Sequence, residues 1–161
     1  MKKTLSKELT LYFTSNFPKS FSESNKINYV VIGIGGNLGN VKRVFDKLFL
    51  SLQADNRFDI IKTSPILKNP PFGFLDQDDF LNAVVLLKTD LSPKASLRAF
   101  QRMENRFKRK RSFKDAPRTL DIDIIFFNDL KMDSKILTIP HPHWYKRDSV
   151  TLPLSYILDK R

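Results

Sequence analysis

The chain has 161 residues, 41% of them hydrophobic and 28% charged, a composition typical of one globular domain with a real core. It has no cysteine, which excludes a disulfide scaffold and Cys-ligated zinc and fits a cytoplasmic protein. Lys and Arg total 28 against 17 Asp and Glu, and the net charge of +11 favours anionic partners such as nucleotides, nucleic acid or acidic lipid.

Residues 1–27 are polar and rich in Ser and Lys, and we expect them to form an N-terminal extension. Leu5, Leu9 and Phe13 recur at helical spacing, so the extension would hold one helix. The basic start precedes a short apolar patch, but no small-residue cleavage site follows, which argues against a signal peptide. No apolar run approaches the roughly 18 residues that a membrane span requires.

Residues 28–161 contain no linker or internal repeat and are expected to form a single domain. A nearly continuous apolar run at 28–35 predicts a buried strand, and the glycine-rich stretch 35–40 ends it. This stretch matches neither a P-loop nor a dinucleotide-binding fingerprint, so it predicts a turn in which Asn40 caps the next helix. Apolar residues at helical spacing place that helix at 40–54.

Two more strands are predicted at 58–64 and 80–89, separated by a loop at 68–78 in which consecutive prolines forbid helix. Ser92 followed by proline is typical of a helix start, so it begins a second helix. A short fifth strand is expected at 136–139, where proline ends it.

Residues 117–127 combine β-branched and aromatic residues with apolar side chains at every second position, which predicts a strand. Asp121 and Asp123 would then point to the same face, with Cα atoms about 6.6 Å apart. Two carboxylates at that spacing can share hard cations such as Mg²⁺, and Arg118 just upstream suits a phosphate oxyanion. The segment favours metal–polyphosphate chemistry, although the ordinary polar face of an edge strand would give the same pattern.

The elements follow the order strand, helix, strand, strand, helix, strand, which is the ferredoxin-like βαββαβ pattern of the α+β class. This fold would form an antiparallel sheet with both helices on one face and with additions at the C-terminus. The other face of the sheet would be left for loops and a ligand.

Much of the positive charge lies in residues 102–114, just before the acid-bearing strand. Together with a ferredoxin-like sheet and 14 phenylalanines, this charge allows another class of function, a basic module that binds single-stranded nucleic acid. Asp121 and Asp123 argue against such a module, because two carboxylates without metal repel phosphate. Salt-dependent oligonucleotide binding without AMP formation would favour it.

Several segments together resemble the 6-hydroxymethyl-7,8-dihydropterin pyrophosphokinase family of folate biosynthesis, over about residues 28–158. The matching pieces are Gly-Gly-Asn-Leu-Gly at 35–39, Gln-Asp-Asp-Phe-Leu-Asn-Ala-Val-Val at 77–85, Pro-Arg-Thr-Leu-Asp-Ile-Asp at 117–123, Ile-Pro-His-Pro at 139–142, Arg147, and Leu-Pro-Leu at 152–154. The resemblance implies transfer of pyrophosphate from ATP to the hydroxymethyl group of a reduced pterin, with release of AMP. We therefore expect a monomer with these two small-molecule substrates and with no nucleic-acid or membrane partner.

The resemblance also implies site residues. Asp121 and Asp123 would hold two Mg²⁺ ions, and Arg118 and Arg109 would complete the catalytic set. The other ATP-binding positions that it implies are Gln101, Glu104, Arg111, Thr138, His141 and Arg147. The pterin pocket would consist of Pro70, Phe72, Phe80 and Asn82, since an aromatic ring and an amide suit a flat polar heterocycle.

For several of these residues an ordinary structural role is the alternative to a role in the site. Glu104 would then be an ordinary charged residue on an exposed helix surface. His141 would be a turn residue before proline, and Phe80 would be a core residue. The arginines at 109 and 111 could belong to a solvated basic loop.

The sequence departs from the family pattern at two places. Lys-Asp-Ala stands at 114–116, where the family has Arg-Trp-Gly, so the loop tryptophan that closes over the pterin is missing. Ser149 stands where the family has an aromatic residue. A chain that keeps the fold without the activity is therefore a further alternative, and an assay for AMP release separates the two.

Overall fold

The computed structural model describes residues 1–71, 73–107 and 117–158. In chain order the elements are β1 (Lys2–Thr4), β2 (Thr10–Tyr12), β3 (Lys19–Ser20), β4 (Asn28–Gly36), α1 (Val41–Ala54), β5 (Phe58–Thr63), β6 (Ile66–Asn69), β7 (Phe80–Thr89), α2 (Pro93–Arg106), β8 (Asp121–Phe127), β9 (Met132–Asp133), β10 (Thr138–Ile139) and α3 (Asp148–Leu158). A 3₁₀ turn, Trp144–Lys146, precedes α3. None of the helices in these ranges is long and apolar enough to cross a bilayer.

Most strands join one antiparallel sheet in the order β1-β2-β6-β7-β4-β8. Strand β4 pairs along its whole length with the long strand β7, whose other edge pairs first with β6 and then with β5. Strand β8 pairs with β4 and with no other described strand, so it forms an edge of the sheet. The predicted α+β class with an antiparallel sheet is confirmed.

The two faces of this sheet are covered by different helices. The first face carries the main core, in which Phe45 of α1 and Phe100 of α2 are fully buried. On the second face Val150 and Leu154 of α3 pack against Ile125 of β8 and other strand residues. Helix α3 covers only part of this second face, so the rest of it remains open.

Both predicted helix caps are confirmed. The Asn40 side chain accepts a hydrogen bond from the Arg43 backbone N–H at 3.2 Å, and the Ser92 hydroxyl accepts one from Ala95 N–H at 3.2 Å. Each bond satisfies a backbone donor that has no partner inside the helix.

The helix expected in the N-terminal extension is wrong, because these residues form strands β1 to β3. Leu11 and Phe17 are 1% exposed, and β2 pairs with β6. Leu9, Leu11 and Phe13 also recur at every second position, so the same residues fit a strand as well as a helix. The strand forms because the neighbouring strand edge supplies hydrogen-bond partners for its backbone.

Strand β6, the short strand β9 and helix α3 were not expected from the sequence either. Strand β6 overlaps the start of the expected loop at 68–78, because its four residues give too short a pattern to recognise. Helix α3 contains Pro153, and an internal proline normally marks the end of a helix.

Candidate active site

A cavity of about 530 Å³ lies on the part of the second sheet face that α3 leaves open. Its floor is formed by β4, β7 and β8, and the start of α3 forms one wall. A volume of this size is typical of sites that bind small molecules.

Asp121 and Asp123 both line this cavity, as the alternation of side chains along a strand predicts. They pair across the sheet with Gly35 and Gly33 of β4, respectively. The neighbouring strand therefore presents no side chains beside the two acids, and the space above them stays open. The edge-strand alternative is right about the position of β8, but the acids face a cavity rather than an open surface.

The Asp123 carboxylate is accessible from the cavity, and protein surrounds it on its other sides. Burial raises its pKa above 3.8, and the charge of Asp121 raises it further. His141, Arg147 and Arg118 act in the opposite direction. A carboxylate whose ionised form is disfavoured by burial and by a neighbouring acid is stabilised by a cation, which fits a metal-binding residue.

The donors fit a hard divalent cation that also binds a substrate. Two carboxylates supply oxygen ligands, and Mg²⁺ is commonly held by one or two carboxylates together with phosphate oxygens and waters. Among the described residues no group of three or more acidic, His or Cys side chains could complete a site from protein alone. Waters and the phosphate oxygens of a bound polyphosphate are the usual further ligands of such an ion.

Arg118 is held beside the acid pair. Its Nη1 donates to Asp121 Oδ2 at 2.6 Å, and the two side chains are only 17% and 15% exposed. Its guanidinium carbon lies 5.8 Å from the centre of the Phe80 ring. The positively charged guanidinium of Arg118 thus lies between the two acids and the aromatic side of the cavity.

Asn37 connects three parts of the site. Its side-chain oxygen accepts from Arg118 N–H at 2.9 Å, while the N–H groups of Asn37 and Leu38 donate to the Arg118 carbonyl at 2.9 and 3.0 Å. Its side-chain nitrogen donates to Gln77 Oε1 at 2.8 Å and to the Asp78 carbonyl at 2.9 Å. The glycine-rich turn therefore positions Arg118, a role that the sequence motif alone does not predict.

Three predicted pterin-pocket residues, Pro70, Phe80 and Asn82, also line the cavity. Phe80 is half-buried at the cavity surface, so it is not a plain core residue. Asn82 donates from Nδ2 to Asn69 Oδ1 at 2.6 Å, which fixes its amide group. The sequence does not predict a role for Asn69, because this residue falls at the start of the expected loop at 68–78, where β6 ends.

Gly35 allows Asn82 to take this position. A Cβ atom on Gly35 would lie against Asn82 Oδ1, closer than non-bonded atoms approach. We expect Gly35→Ala to displace the Asn82 amide and to lower the free energy of unfolding by about 1–3 kcal/mol, the usual cost of overpacking. Thermal denaturation measures the loss, and Gly33→Ala is the milder comparison, because there the new atom meets only the flexible end of Ile125 at 3.3 Å.

His141 and Arg147, predicted on the nucleotide side, line the cavity as well. The His141 N–H donates to the Ile125 carbonyl at 2.9 Å, which ties the segment after β10 to β8. Burial lowers the pKa of His141 below 6.5, Asp123 opposes this shift, and Arg147 adds to it. The imidazole is therefore mainly neutral at neutral pH.

Glu104 lies behind the sheet rather than in the cavity. It is 7% exposed, and its Oε2 accepts from the Ile122 N–H at 2.6 Å. This bond satisfies a donor on edge strand β8 between the two aspartates. The alternative of an exposed helix charge does not match this burial.

The remaining predicted residues are not brought to the cavity or cannot be placed. Gln101 is exposed on α2, and Thr138 of β10 contacts Asp133 at 3.4 Å without lining the cavity. Arg109, Arg111 and Phe72 lie outside the described residues.

A family model for 7,8-dihydro-6-hydroxymethylpterin-pyrophosphokinase (HPPK) matches residues 31–159. The chain belongs to this family. It is 44% identical over 146 residues to the 2-amino-4-hydroxy-6-hydroxymethyldihydropteridine pyrophosphokinase of Helicobacter pylori, covering 89% of this chain and 88% of that enzyme. It is 46% identical over 127 residues to the Campylobacter jejuni enzyme of the same name, covering 79% and 81%. The Bacillus subtilis enzyme is 35% identical over 130 residues, covering 81% and 78%.

Proposed function

We propose that this HPPK family member transfers pyrophosphate from ATP to 6-hydroxymethyl-7,8-dihydropterin, giving the pterin diphosphate and AMP in folate biosynthesis. The observation that carries the proposal is one cavity in which an acid pair and an arginine lie beside a half-buried aromatic ring and a fixed amide. The first group suits a polyphosphate, and the second suits a flat heterocycle.

Asp121 and Asp123 hold two Mg²⁺ ions in this proposal, and ATP is the co-substrate. Such ions, when bound, neutralise charge on the polyphosphate and orient it. The role of the two carboxylates is to fix the metal-bound triphosphate on the cavity floor.

Arg118 stabilises the charge that develops on the transferred group, because its guanidinium is already fixed next to Asp121. Phosphoryl transfer needs little covalent chemistry from the protein, so positioning and electrostatics supply most of the catalysis. Arg109 and Arg111, which lie outside the described residues, are proposed to contact the phosphates.

The pterin is proposed to stack on Phe80 and to pair its amide edge with Asn82, with Pro70 and Phe72 completing the pocket. The nucleotide is proposed to lie on the side of His141 and Arg147, with Thr138 and Gln101 as further contacts from outside the cavity. Glu104 acts at least through the β8 backbone, because it binds Ile122 N–H.

We also propose that residues 28–161 form the catalytic domain, that residues 1–27 are an extension, and that the protein works as a monomer without a nucleic-acid partner. The order β8-β4-β7-β5, with α1 and α2 on one face, supports a ferredoxin-like arrangement. The additional strands β1, β2 and β6 widen the sheet beyond it.

Incubation with ATP, Mg²⁺ and the reduced pterin tests the function directly. We expect equal amounts of AMP and pterin diphosphate, and no product when either Mg²⁺ or pterin is omitted. AMP formation without pterin diphosphate would indicate hydrolysis and contradict the proposal. Sub-micromolar oligonucleotide binding without either product would instead support the nucleic-acid module.

A further inference from the structure

The N-terminal hairpin, which consists of β1, β2 and the turn between them, reaches the cavity. Ser6, Glu8 and Leu9 of this hairpin line the cavity together with the strands and α3. Residues outside the HPPK match at 31–159 thus contribute to the wall of the site.

Strand register places Leu9 in a row with the pterin-side residues. Thr10 pairs with Lys68 in β6, so the preceding residue, Leu9, lies beside Asn69. Asn69 in turn pairs with Phe80 of β7. Residues opposite one another in adjacent strands point to the same face, and Leu9, Asn69 and Phe80 all line the cavity.

The hairpin is held in a defined position at both ends. At the turn, the Leu9 carbonyl accepts from the N–H groups of Leu5 and Ser6 at 2.8 and 3.2 Å. At the base, Leu11 is buried, and the Phe13 ring meets Tyr156 of α3 edge-on, with 6.3 Å between ring centres. A wall fixed in this way can position a ligand at little cost in conformational entropy.

The segment that leads into α3 supplies little apolar surface to the cavity. Of its lining residues Lys146, Arg147, Asp148, Ser149 and Val150, the first four are polar or charged. Leu9 is only partly buried, so part of its side chain remains available for contact with a ligand.

We propose that the N-terminal hairpin forms one wall of the pterin pocket and that Leu9 is a specificity-determining residue that packs against the heterocycle bound at Phe80. This inference rests on the proposed function of the cavity. Leu9 supplies apolar contact to the ring system and touches neither the acid pair nor the triphosphate. Its loss therefore weakens pterin binding and leaves ATP binding unchanged.

Steady-state kinetics of Leu9→Ala test this, with AMP release measured against pterin and, separately, against ATP. We expect the KM for pterin to rise about five- to tenfold, as the loss of a partly buried leucine contact predicts, with the KM for ATP within twofold of wild type. Leu5→Ala is the matched control, because Leu5 lies in the same turn, is 38% exposed and does not line the cavity. Leu9→Met, which restores apolar surface, should recover most of the pterin affinity.

The outcomes separate the inference from the function on which it rests. An unchanged KM for pterin in Leu9→Ala would overturn the inference, as would equal changes in both KM values together with a lower Tm. A wild-type enzyme that makes no pterin diphosphate would overturn the proposed function itself.

Discussion

Asp123→Asn and Asp121→Asn are each expected to reduce kcat/KM by at least about 10³-fold while the fold is retained. Asn keeps the shape of the side chain and removes the charge that holds the metal-bound triphosphate. AMP release measures the activity, and far-UV circular dichroism measures the fold. Asp129→Asn is the control, because Asp129 is exposed in the turn after β8, outside the cavity, and should keep wild-type activity.

The stability of Asp123→Asn provides an independent check. The folded protein raises the pKa of Asp123, so the ionised form is less favourable in the folded than in the unfolded chain. The stabilising effect of this shift is complete below pH 3.8 and is lost as the pH rises through the folded pKa. Above that pKa, without Mg²⁺ and ATP, the variant should therefore melt at a temperature no lower than wild type. Near-normal rates in both Asp variants would show that the metal assignment is wrong.

Arg118→Ala is expected to lower kcat by about 10²- to 10³-fold, the usual cost of removing one charged donor from a preorganised site. The KM for ATP should change much less, because the guanidinium acts mainly on charge that develops during transfer. Single-turnover measurement of AMP formation separates this chemical step from binding. Some loss of stability is also expected, since the variant leaves Asp121 without its 2.6 Å ion pair.

Arg118→Lys distinguishes charge from geometry. Lys restores the positive charge but not the planar fork, so we expect only partial recovery of kcat. Arg98→Ala is the control, because Arg98 is exposed on α2 outside the cavity. An unchanged kcat in Arg118→Ala would remove Arg118 from the transition state.

The elements with long, regular patterns were predictable. Strand β7 is a nearly continuous apolar run rich in strand-forming residues, and helix α2 begins with a proline after an N-cap serine. Both elements lie close to their expected positions. Strand β8 begins at Asp121 rather than near 117, because the Asn37 hydrogen bonds hold Arg118 outside the ladder. Strand β6 and helix α3 could not be predicted, since one is too short and the other contains Pro153.

The residues of the candidate site also divide into those that the sequence predicts and those that it does not. The acid pair and Arg118 followed from the chemistry of adjacent residues on one strand. Glu104 could not be placed, because nothing local shows that its carboxylate meets the Ile122 N–H across the core. Asn69 and Leu9 could not be found either, since their importance depends on which strands become neighbours.

The sequence by itself determined that Asp121 and Asp123 share a face, because a strand returns to the same side at every second residue. It also determined the family, through short motifs whose order along the chain is specific. Only the tertiary structure decided which face is open and what surrounds it. Burial by α3, the side-chain-free glycines of β4 and the pairing of the N-terminal hairpin with β6 depend on contacts between residues far apart in the chain.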